Sequence, residues 1–271
     1  MIADYHLHSS FSGDSNTPSE AAVLSALDKG LSLMCFTEHF DPDYPYQDVS
    51  MELDVPAYFT ELRRLQSLYA DRIGICIGAE LGLQPHLGDY LRSWLSRCLA
   101  DGYAFDFLIG STHLVDRTDP YYPQFWSCRR TEEAVSRYLE VTLENIQAFD
   151  DFDVYGHLDY IIRYAPEDER RFSYSAHEEQ IDTILRLLIQ KGKGIEINTA
   201  GYKSGFGEPN PCRAVLKRYR ELGGEIITIG ADAHTPEYLG FRFGEARELL
   251  KECGFRYFTV FQERKAEFVK L

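Results

Sequence analysis

Histidine and acidic side chains, the common protein ligands of transition metals, recur at similar places along this chain. Six of its eight histidines stand at or just after the ends of short apolar runs that have the character of strands. Such positions are a minority of the chain, since helical faces and loops make up most of it. The residues in question are His6, His8, His39, Glu80, His113, His157, Asp232 and His234, with Asp14 in the first loop.

Two of these groups have a spacing that suits a shared cavity. Residues i and i+2 of a strand point to the same face. His6 and His8 can therefore direct two imidazoles to one side, and Asp232 and His234 repeat that geometry. Mixed imidazole and carboxylate ligands suit zinc, iron or manganese better than calcium or magnesium.

The complete set says more than any one member. A lone H-x-H pair is more often incidental, and a lone histidine more often belongs to a core. Six histidines and three carboxylates in one cavity would leave many buried polar groups without partners unless cations were bound. Nine ligands exceed the need of one ion, so we expect two or three divalent transition-metal ions.

The elements that must position these residues alternate between strands and helices. The apolar runs lie near 2–6, 32–38, 73–80, 106–112, 153–157, 194–199, 226–232 and 256–261. This alternation, without a linker, predicts one α/β domain over residues 1–271 with a parallel sheet. A closed barrel and an open doubly wound sheet both remain possible, although no G-x-G-x-x-G follows the first strand. In a barrel, catalytic groups gather at the strand ends where these residues stand.

Two helices have clear limits in the sequence. The segment Thr17-Pro18-Ser19-Glu20 predicts a capping residue, a proline at the first helical position and a glutamate three residues after the cap; this helix would end at Gly30. A later helix is expected from about Pro211 to Gly223-Gly224.

Charge and composition exclude several functions. The formal net charge of -15 would repel a nucleic-acid backbone, so a phosphate site needs local positive charge, which metal ions would supply. The six cysteines form no C-x-x-C pair, which favours buried, reduced thiols. We find no signal peptide and no stretch of about 20 apolar residues, and therefore expect a cytoplasmic protein.

The ordered pattern resembles a known family. The segments that carry the resemblance lie within residues 4–234 and are H-L-H, Asp14, E-H, Glu80, S-T-H, G-H-L-D and D-A-H. Their residue types and order are similar to those of the PHP family, named for polymerase and histidinol phosphatase. The resemblance implies a distorted (β/α)7 barrel with a trinuclear metal site at its mouth. By position, it implies three ligand sets: His6, His8, Glu80 and Asp232; Asp14, His39 and His234; and Glu80, His113 and His157, with Glu80 bridging.

Within the family, the chain most resembles stand-alone members that hydrolyse histidinol phosphate. The similar segments are H-S-S-F-S-G-D, G-H-L-D-Y-I-I-R and E-I-N-T-A-G-Y-K. The resemblance implies that Arg163 and Lys203 contact phosphate, although relatives usually carry arginine at the second position, which offers a bidentate fork. Alternatively, Arg163 pairs with Glu167 or Asp168 on the surface and Lys203 is merely solvated.

The expected chemistry is hydrolysis of a small phosphomonoester. A metal-bound hydroxide would attack phosphorus, and the cations would stabilise the leaving alkoxide. Asp159 and a metal-bound water are the candidates for the general acid. Residues 114–130 contribute Tyr121, Tyr122, Phe125 and Trp126, which would either stack on an imidazole substrate or pack on one another. We expect His86 and His177, at helix starts, on the surface.

Three other functions compete with this interpretation. A PHP phosphoesterase or exonuclease would act on nucleotides or DNA ends with the same metals. Asp151-Phe152-Asp153 superficially resembles the D-x-D motif of haloacid-dehalogenase-like phosphatases, but helical sequence precedes it. A non-enzymatic metal-binding protein would need the ligands alone. The sequence does not indicate the oligomeric state.

Overall fold

Seven parallel strands form one sheet whose spatial order is the order of the chain. The computed structural model describes residues 1–127, 129–205 and 207–271. The strands are β1 (Ala3–Asp4), β2 (Leu33–Phe40), β3 (Gly74–Gly82), β4 (Phe107–Ser111), β5 (Val154–Tyr155), β6 (Gly194–Asn198) and β7 (Ile227–Gly230). The seven predicted barrel strands are thus present, although the first and the fourth to seventh are shorter than predicted.

The sheet closes on itself between its first and last strands. The amide of Tyr5 donates to Ile229 O at 2.9 Å, and that of His8 donates to Ala233 O at 2.9 Å. The sheet therefore has no free edge beside β1, and the predicted distorted (β/α)7 barrel is confirmed over the open sheet.

A helix follows each barrel strand and covers the outside of the barrel. The helices are α1 (Ser19–Asp28), α2 (Val55–Leu68), α3 (Gly88–Ala100), α4 (Thr131–Ala148), α5 (Glu178–Gln190), α6 (Arg213–Glu221) and α7 (Phe243–Glu252). In α5, Ile181, Ile184, Leu185 and Leu188 are buried, the i, i+3, i+4, i+7 pattern of one apolar face. Among the described residues, no helix is long and apolar enough to cross a membrane.

The predicted cap of the first helix is wrong. The helix begins at Ser19 after Pro18, and Thr17 does not cap it. The Thr17 hydroxyl instead donates to His234 O at 2.9 Å. Glu20 pairs with Arg64 rather than with the helix start. Tertiary partners have therefore taken both side chains, and Thr17 ties the first loop to the end of β7.

The last predicted strand is correct, but its partner was not predicted. Strand β8 (Tyr257–Gln262) lies outside the barrel sheet and pairs antiparallel with β9 (Lys265–Lys270). The two turn residues, Glu263 and Arg264, have φ of 50° and 61°. This is the backbone of a tight hairpin, but without the usual Asn-Gly signal. The residues of β9 are mostly exposed, so they lack an apolar pattern.

The β8–β9 hairpin lies against the amino ends of barrel strands. The Ile227 amide donates to Thr259 Oγ1 at 3.1 Å. The Arg264 amide donates to Asp106 O at 2.9 Å, just before β4. We call the end of the barrel at the carboxyl ends of the strands the mouth. The hairpin therefore covers the opposite end of the barrel.

The structure confirms the predictions for most of the described cysteines and for His86, but it contradicts the prediction for His177. Cys35, Cys76, Cys98 and Cys253 are buried free thiols, as predicted; Cys212 is a partly buried one, and Cys128 lies outside the described residues. His86 is exposed, as predicted. His177 is buried rather than on the surface. Its ring stacks against Phe172 at the start of α5, which accounts for the error.

Docking of the hairpin gives a stability prediction. The buried Tyr5 hydroxyl donates to Phe261 O at 2.7 Å and accepts from Phe261 N at 3.0 Å. Tyr5→Phe should lower the free energy of unfolding by about 1–3 kcal/mol, because two buried main-chain groups lose their partner. Chemical denaturation measures this.

The matched control is Tyr257→Phe, since Tyr257 is 47% exposed. That change should stay within about 0.5 kcal/mol of the wild type. Equal effects of the two substitutions would contradict the importance of the Tyr5 contact.

Candidate metal centre

The Glu80 carboxylate lies at the centre of the barrel mouth, near the end of β3, and is fully buried. Five imidazoles surround it. Oε2 is 3.1 Å from His6 Nε2, 3.6 Å from His8 Nε2 and 3.2 Å from His39 Nδ1, and Oε1 is 3.2 Å from His113 Nε2 and 2.9 Å from His157 Nε2. One carboxylate therefore touches residues from the ends of four other strands.

A second group lies nearer to solvent on one side of Glu80. Asp14 Oδ2 is 2.9 Å from His234 Nε2 and 3.5 Å from His39 Nε2. The ring of His8 lies beside those of His39 and His234, with centroids 4.2 Å from each. Asp232 Oδ1 is 3.6 Å from His8 Nε2. All nine predicted ligands thus come together in the structure.

The cavity above these residues has a volume of about 450 Å³. His39, Glu80, His113, His157 and the Asp14–His234 group line its floor. The first pair of ligands, His6 and His8, is fully buried beneath it. A small molecule in this cavity would lie against the clustered residues.

Unpartnered buried atoms test whether the residues fit a metal cluster. His6 Nε2, His8 Nε2, His39 Nδ1 and Glu80 Oε2 are buried without a hydrogen-bond partner. Four atoms of this kind in one place would be costly if cations did not satisfy them. Four overlapping triads of donors also lie within 4.8 Å: His8, His39 and His234; His6, His8 and Asp232; His6, Glu80 and His157; and His39, Asp41 and His113. The residues fit a group of bound cations.

The charges at the site depend on each other. Burial by itself would raise the pKa of Glu80, but His6, His113 and His39 hold this pKa well below its usual value. Burial lowers the pKa of His8 to about 3, with His234 and His39 adding to the effect. His8 is therefore neutral, as a metal ligand must be.

Further polar residues support the histidines from behind, and the sequence interpretation did not assign them roles. Glu196 Oε2 lies 2.8 Å from His6 Nδ1. Asp41 Oδ1 lies 2.6 Å from His113 Nδ1. Ser12 Oγ lies 3.1 Å from His8 Nδ1. Contacts of this kind fix the ring orientation and leave Nε2 free to bind. Glu196 and Asn198 are two residues apart in β6 and therefore point to the same face of the sheet. This spacing could have indicated from the sequence that Glu196 lies near the site.

Arg163 borders the cavity and is held at three of its nitrogens. Its Nη1 donates to Asp232 Oδ2 at 2.8 Å, its Nη2 to Asn198 Oδ1 at 2.8 Å and its Nε to Asn210 Oδ1 at 2.7 Å. The alternative of a surface pair with Glu167 or Asp168 is wrong, because the side chain is only 10% exposed and faces Asp232.

Asp159 does not line the cavity. Its Oδ1 accepts from Asn210 Nδ2, and its Oδ2 accepts from the Cys212 amide at 2.9 Å. Burial raises the pKa of Asp159 to about 6. This placement contradicts a role as general acid, since both oxygens are turned away from the site. Asp159 instead holds Asn210, which in turn holds Arg163.

Lys203 also lines the cavity. Its Nζ lies 4.2 Å from the centre of the Tyr238 ring. Burial lowers the pKa of Lys203, while the nearby Asp232 opposes that shift. The Lys203 residue is nevertheless exposed, so the solvated alternative stands beside the phosphate contact.

Aromatic residues form the outer wall of the cavity. Tyr121 and Tyr122 line it, and the Tyr122 ring stacks on Tyr46 with centroids 4.0 Å apart. Phe125 is fully buried, and Trp126 Nε1 donates to Pro120 O. The predicted aromatic loop therefore divides: its first two rings face the cavity, and the other two pack within the loop.

Comparison with known proteins gives consistent relatives. The sequence model of the PHP domain family matches residues 4–200. A histidinol-phosphatase of Lactococcus lactis is 34% identical over 268 residues, covering 97% of this chain and 96% of that protein. A probable histidinol-phosphatase of Clostridium acetobutylicum is 29% identical over 268 residues, with 98% of each chain covered.

A solved structure agrees with these relatives. The Lactococcus lactis histidinol phosphate phosphatase, crystallised with zinc, L-histidinol and phosphate, superposes with a TM-score of 0.90 over 98% of each chain at 34% identity. A putative histidinol phosphatase of Listeria monocytogenes, 20% identical with a TM-score of 0.76 over 90% of this chain and 99% of the other, shares the fold. From its matching residues, its near full-length relatives and its barrel, the chain belongs to the PHP domain family.

Proposed function

We propose that this chain is a metal-dependent phosphomonoesterase that hydrolyses L-histidinol phosphate to L-histidinol and phosphate. The observation that carries this proposal is the Glu80 carboxylate, buried among five histidines beneath a cavity that Arg163 and Lys203 also line. The relative crystallised with zinc, L-histidinol and phosphate supports the choice of substrate. Residues 1–271 would act as one phosphohydrolase domain.

The nine clustered residues would hold two or three ions of zinc, iron or manganese. The contacts support the expected sets: Asp14 with His39 and His234, Glu80 with His113 and His157, and His6 and His8 with Asp232. Such ions, when bound, neutralise phosphoryl oxygens and lower the pKa of water. The protein's part is to hold the imidazoles and carboxylates in place before the substrate arrives.

Arg163 and Lys203 would bind the oxygens of the phosphoryl group. A guanidinium has five N–H donors, and three contacts within the protein leave Arg163 with two to offer. The same contacts fix the plane of the group, so little freedom is lost on binding. Lys203 supplies a point charge without a fixed fork.

The cavity wall around Asp119 suits a cationic alcohol. Asp119 is 6% exposed and lines the cavity. Its Oδ2 accepts from Tyr44 OH at 2.7 Å, and its Oδ1 accepts from the Tyr121 amide at 2.8 Å. Burial raises the pKa of Asp119, so a cationic partner would stabilise the ionised form. L-histidinol carries an ammonium group and an imidazole, which match this carboxylate and the tyrosines beside it.

The structure gives no support to the D-x-D alternative. Asp151 and Asp153 pair with Arg264 at the hairpin end of the barrel, away from the mouth. Nucleotides remain the rival substrates, and they lack an ammonium group for Asp119. We also propose a cytoplasmic location, because the five described cysteines are free thiols, as in reducing compartments.

Phosphate release from different substrates tests the function. The metal-loaded protein should hydrolyse L-histidinol phosphate with a kcat/KM at least about tenfold above that for nucleoside monophosphates, equivalent to 1.4 kcal/mol or more of transition-state binding. Chelation should abolish the activity, and zinc or manganese should restore it. Equal or higher activity on nucleotides would favour the rival.

His6→Ala should lower kcat/KM by more than about a hundredfold, which exceeds the usual loss when only a supporting residue is changed. His86→Ala is the matched control, because His86 is exposed and does not line the cavity. It should retain activity. A His6→Ala variant that kept wild-type activity and metal content would contradict the proposed ligands.

Asp119→Asn tests recognition of the alcohol. We expect about a 10–100-fold loss of kcat/KM for L-histidinol phosphate, since an amide cannot pair with a buried cation as a carboxylate does. The kcat/KM for phenyl phosphate, whose leaving group carries no cation, should change less than about threefold by the same argument. Asp71→Asn, on an exposed residue, is the control. Equal losses of kcat/KM on both substrates would show that Asp119 does not recognise the alcohol.

A further inference from the structure

Asp41 is a buried carboxylate at the mouth that lies outside the nine predicted ligands. It follows β2 directly, two residues after His39, and is 4% exposed. Its Oδ1 lies 2.6 Å from His113 Nδ1. Its Oδ2 has no hydrogen-bond partner and lies 3.6 Å from His39 Nδ1. The carboxylate therefore supports His113 at Nδ1, and it also lies near His39 Nδ1, one of the unpartnered atoms of the cluster.

Gly82 is what makes room for this carboxylate. A methyl group on the Gly82 Cα would overlap Oδ1 and Cγ of Asp41, far inside van der Waals contact. The backbone does not otherwise require glycine here, because Gly82 has no positive φ and pairs regularly with Ser111 across β3 and β4. The missing side chain thus serves packing rather than backbone conformation.

The contact to His113 has a chemical consequence. A carboxylate that accepts the Nδ1–H of an imidazole fixes its tautomer and raises the basicity of Nε2. His113 Nε2 is the nitrogen that faces Glu80, 3.2 Å from Oε1. By orienting the ring, Asp41 therefore turns His113 Nε2, the nitrogen that would bind an ion, toward the centre of the cluster.

We propose that Asp41 and Gly82 form a positioning pair for His113: the carboxylate orients the imidazole, and the glycine leaves the space in which the carboxylate sits. This inference rests on the proposed role of His113 as a metal ligand. It assigns functions to two residues outside the ligand set, and it treats them as one unit, since neither works without the other.

Zinc retention is the test, measured as ions per chain at a fixed chelator concentration and as affinity by chelator competition. Asp41→Ala and Gly82→Ala should each lower the affinity of the ion at His113 about 10–100-fold, the usual effect of removing such support, so that one ion fewer is retained. Asp41→Asn should lose less than about tenfold, because its amide oxygen still accepts the Nδ1–H. Excess zinc should restore activity in each variant.

The double variant Asp41→Ala/Gly82→Ala separates coupling from general damage. It should lose little more affinity than Asp41→Ala alone, because the new methyl group no longer overlaps Oδ1 and Cγ and has to shift only from the Cβ of residue 41, 2.9 Å away. It also covers the case in which Gly82→Ala alone does not fold. Asp43→Asn and Gly244→Ala are matched controls: Asp43 is largely exposed on the same loop, and a Cβ at Gly244 meets open space.

Several results would overturn the proposal. Single variants that retain as much zinc as the controls would remove the positioning role, while hydrolysis by the wild type would leave the proposed function standing. If the losses of zinc affinity were additive in the double variant, Asp41 and Gly82 would not act as a pair. An Asp41→Asn variant as weak as Asp41→Ala would indicate that Asp41 binds the ion directly. A wild-type protein that retains no zinc, iron or manganese would refute both this inference and the proposed function.

Discussion

The structure depends on the negative charge of Glu80, which is buried at the centre of five imidazoles. This carboxylate is almost completely buried, and one of its oxygens has no hydrogen-bond donor. A buried charge is tolerated only when it is paired or binds a metal. At the mouth, each barrel strand contributes either a candidate metal ligand or a residue that contacts such a ligand. The fold thus brings together groups that would repel or remain unsatisfied without cations.

The two ends of the barrel divide the work of stability and chemistry. At the hairpin end, strands begin in apolar packing, and the Tyr5 hydroxyl and Thr259 tie β8 to the sheet. At the mouth, regular pairing stops early, as in the two-residue strands β1 and β5, and the chain turns polar side chains inward. Sites at the carboxyl end of a parallel barrel commonly follow this division. The acidic surface is compatible with a phosphate substrate because the positive charge is local.

Much of this arrangement could be predicted from the sequence, because strand ends in a parallel barrel converge whatever their separation along the chain. That rule alone brought His6 and His234 together. The supporting residues were harder to predict. Asp41 and Glu196 gain their roles from distances of less than 3 Å that spacing does not encode. Asp159 was misassigned because its motif stands beside a ligand, while its carboxylate is held by Asn210 and the Cys212 amide. The strand β9 was missed because an exposed edge strand carries no apolar alternation.

The most direct test of the central claim is anomalous diffraction from crystals grown with zinc. We predict two or three anomalous peaks around Glu80, each about 2.0–2.3 Å from histidine nitrogens or carboxylate oxygens, with Glu80 contacting more than one ion. A map without peaks in this cluster, from protein that still hydrolyses L-histidinol phosphate, would contradict the account.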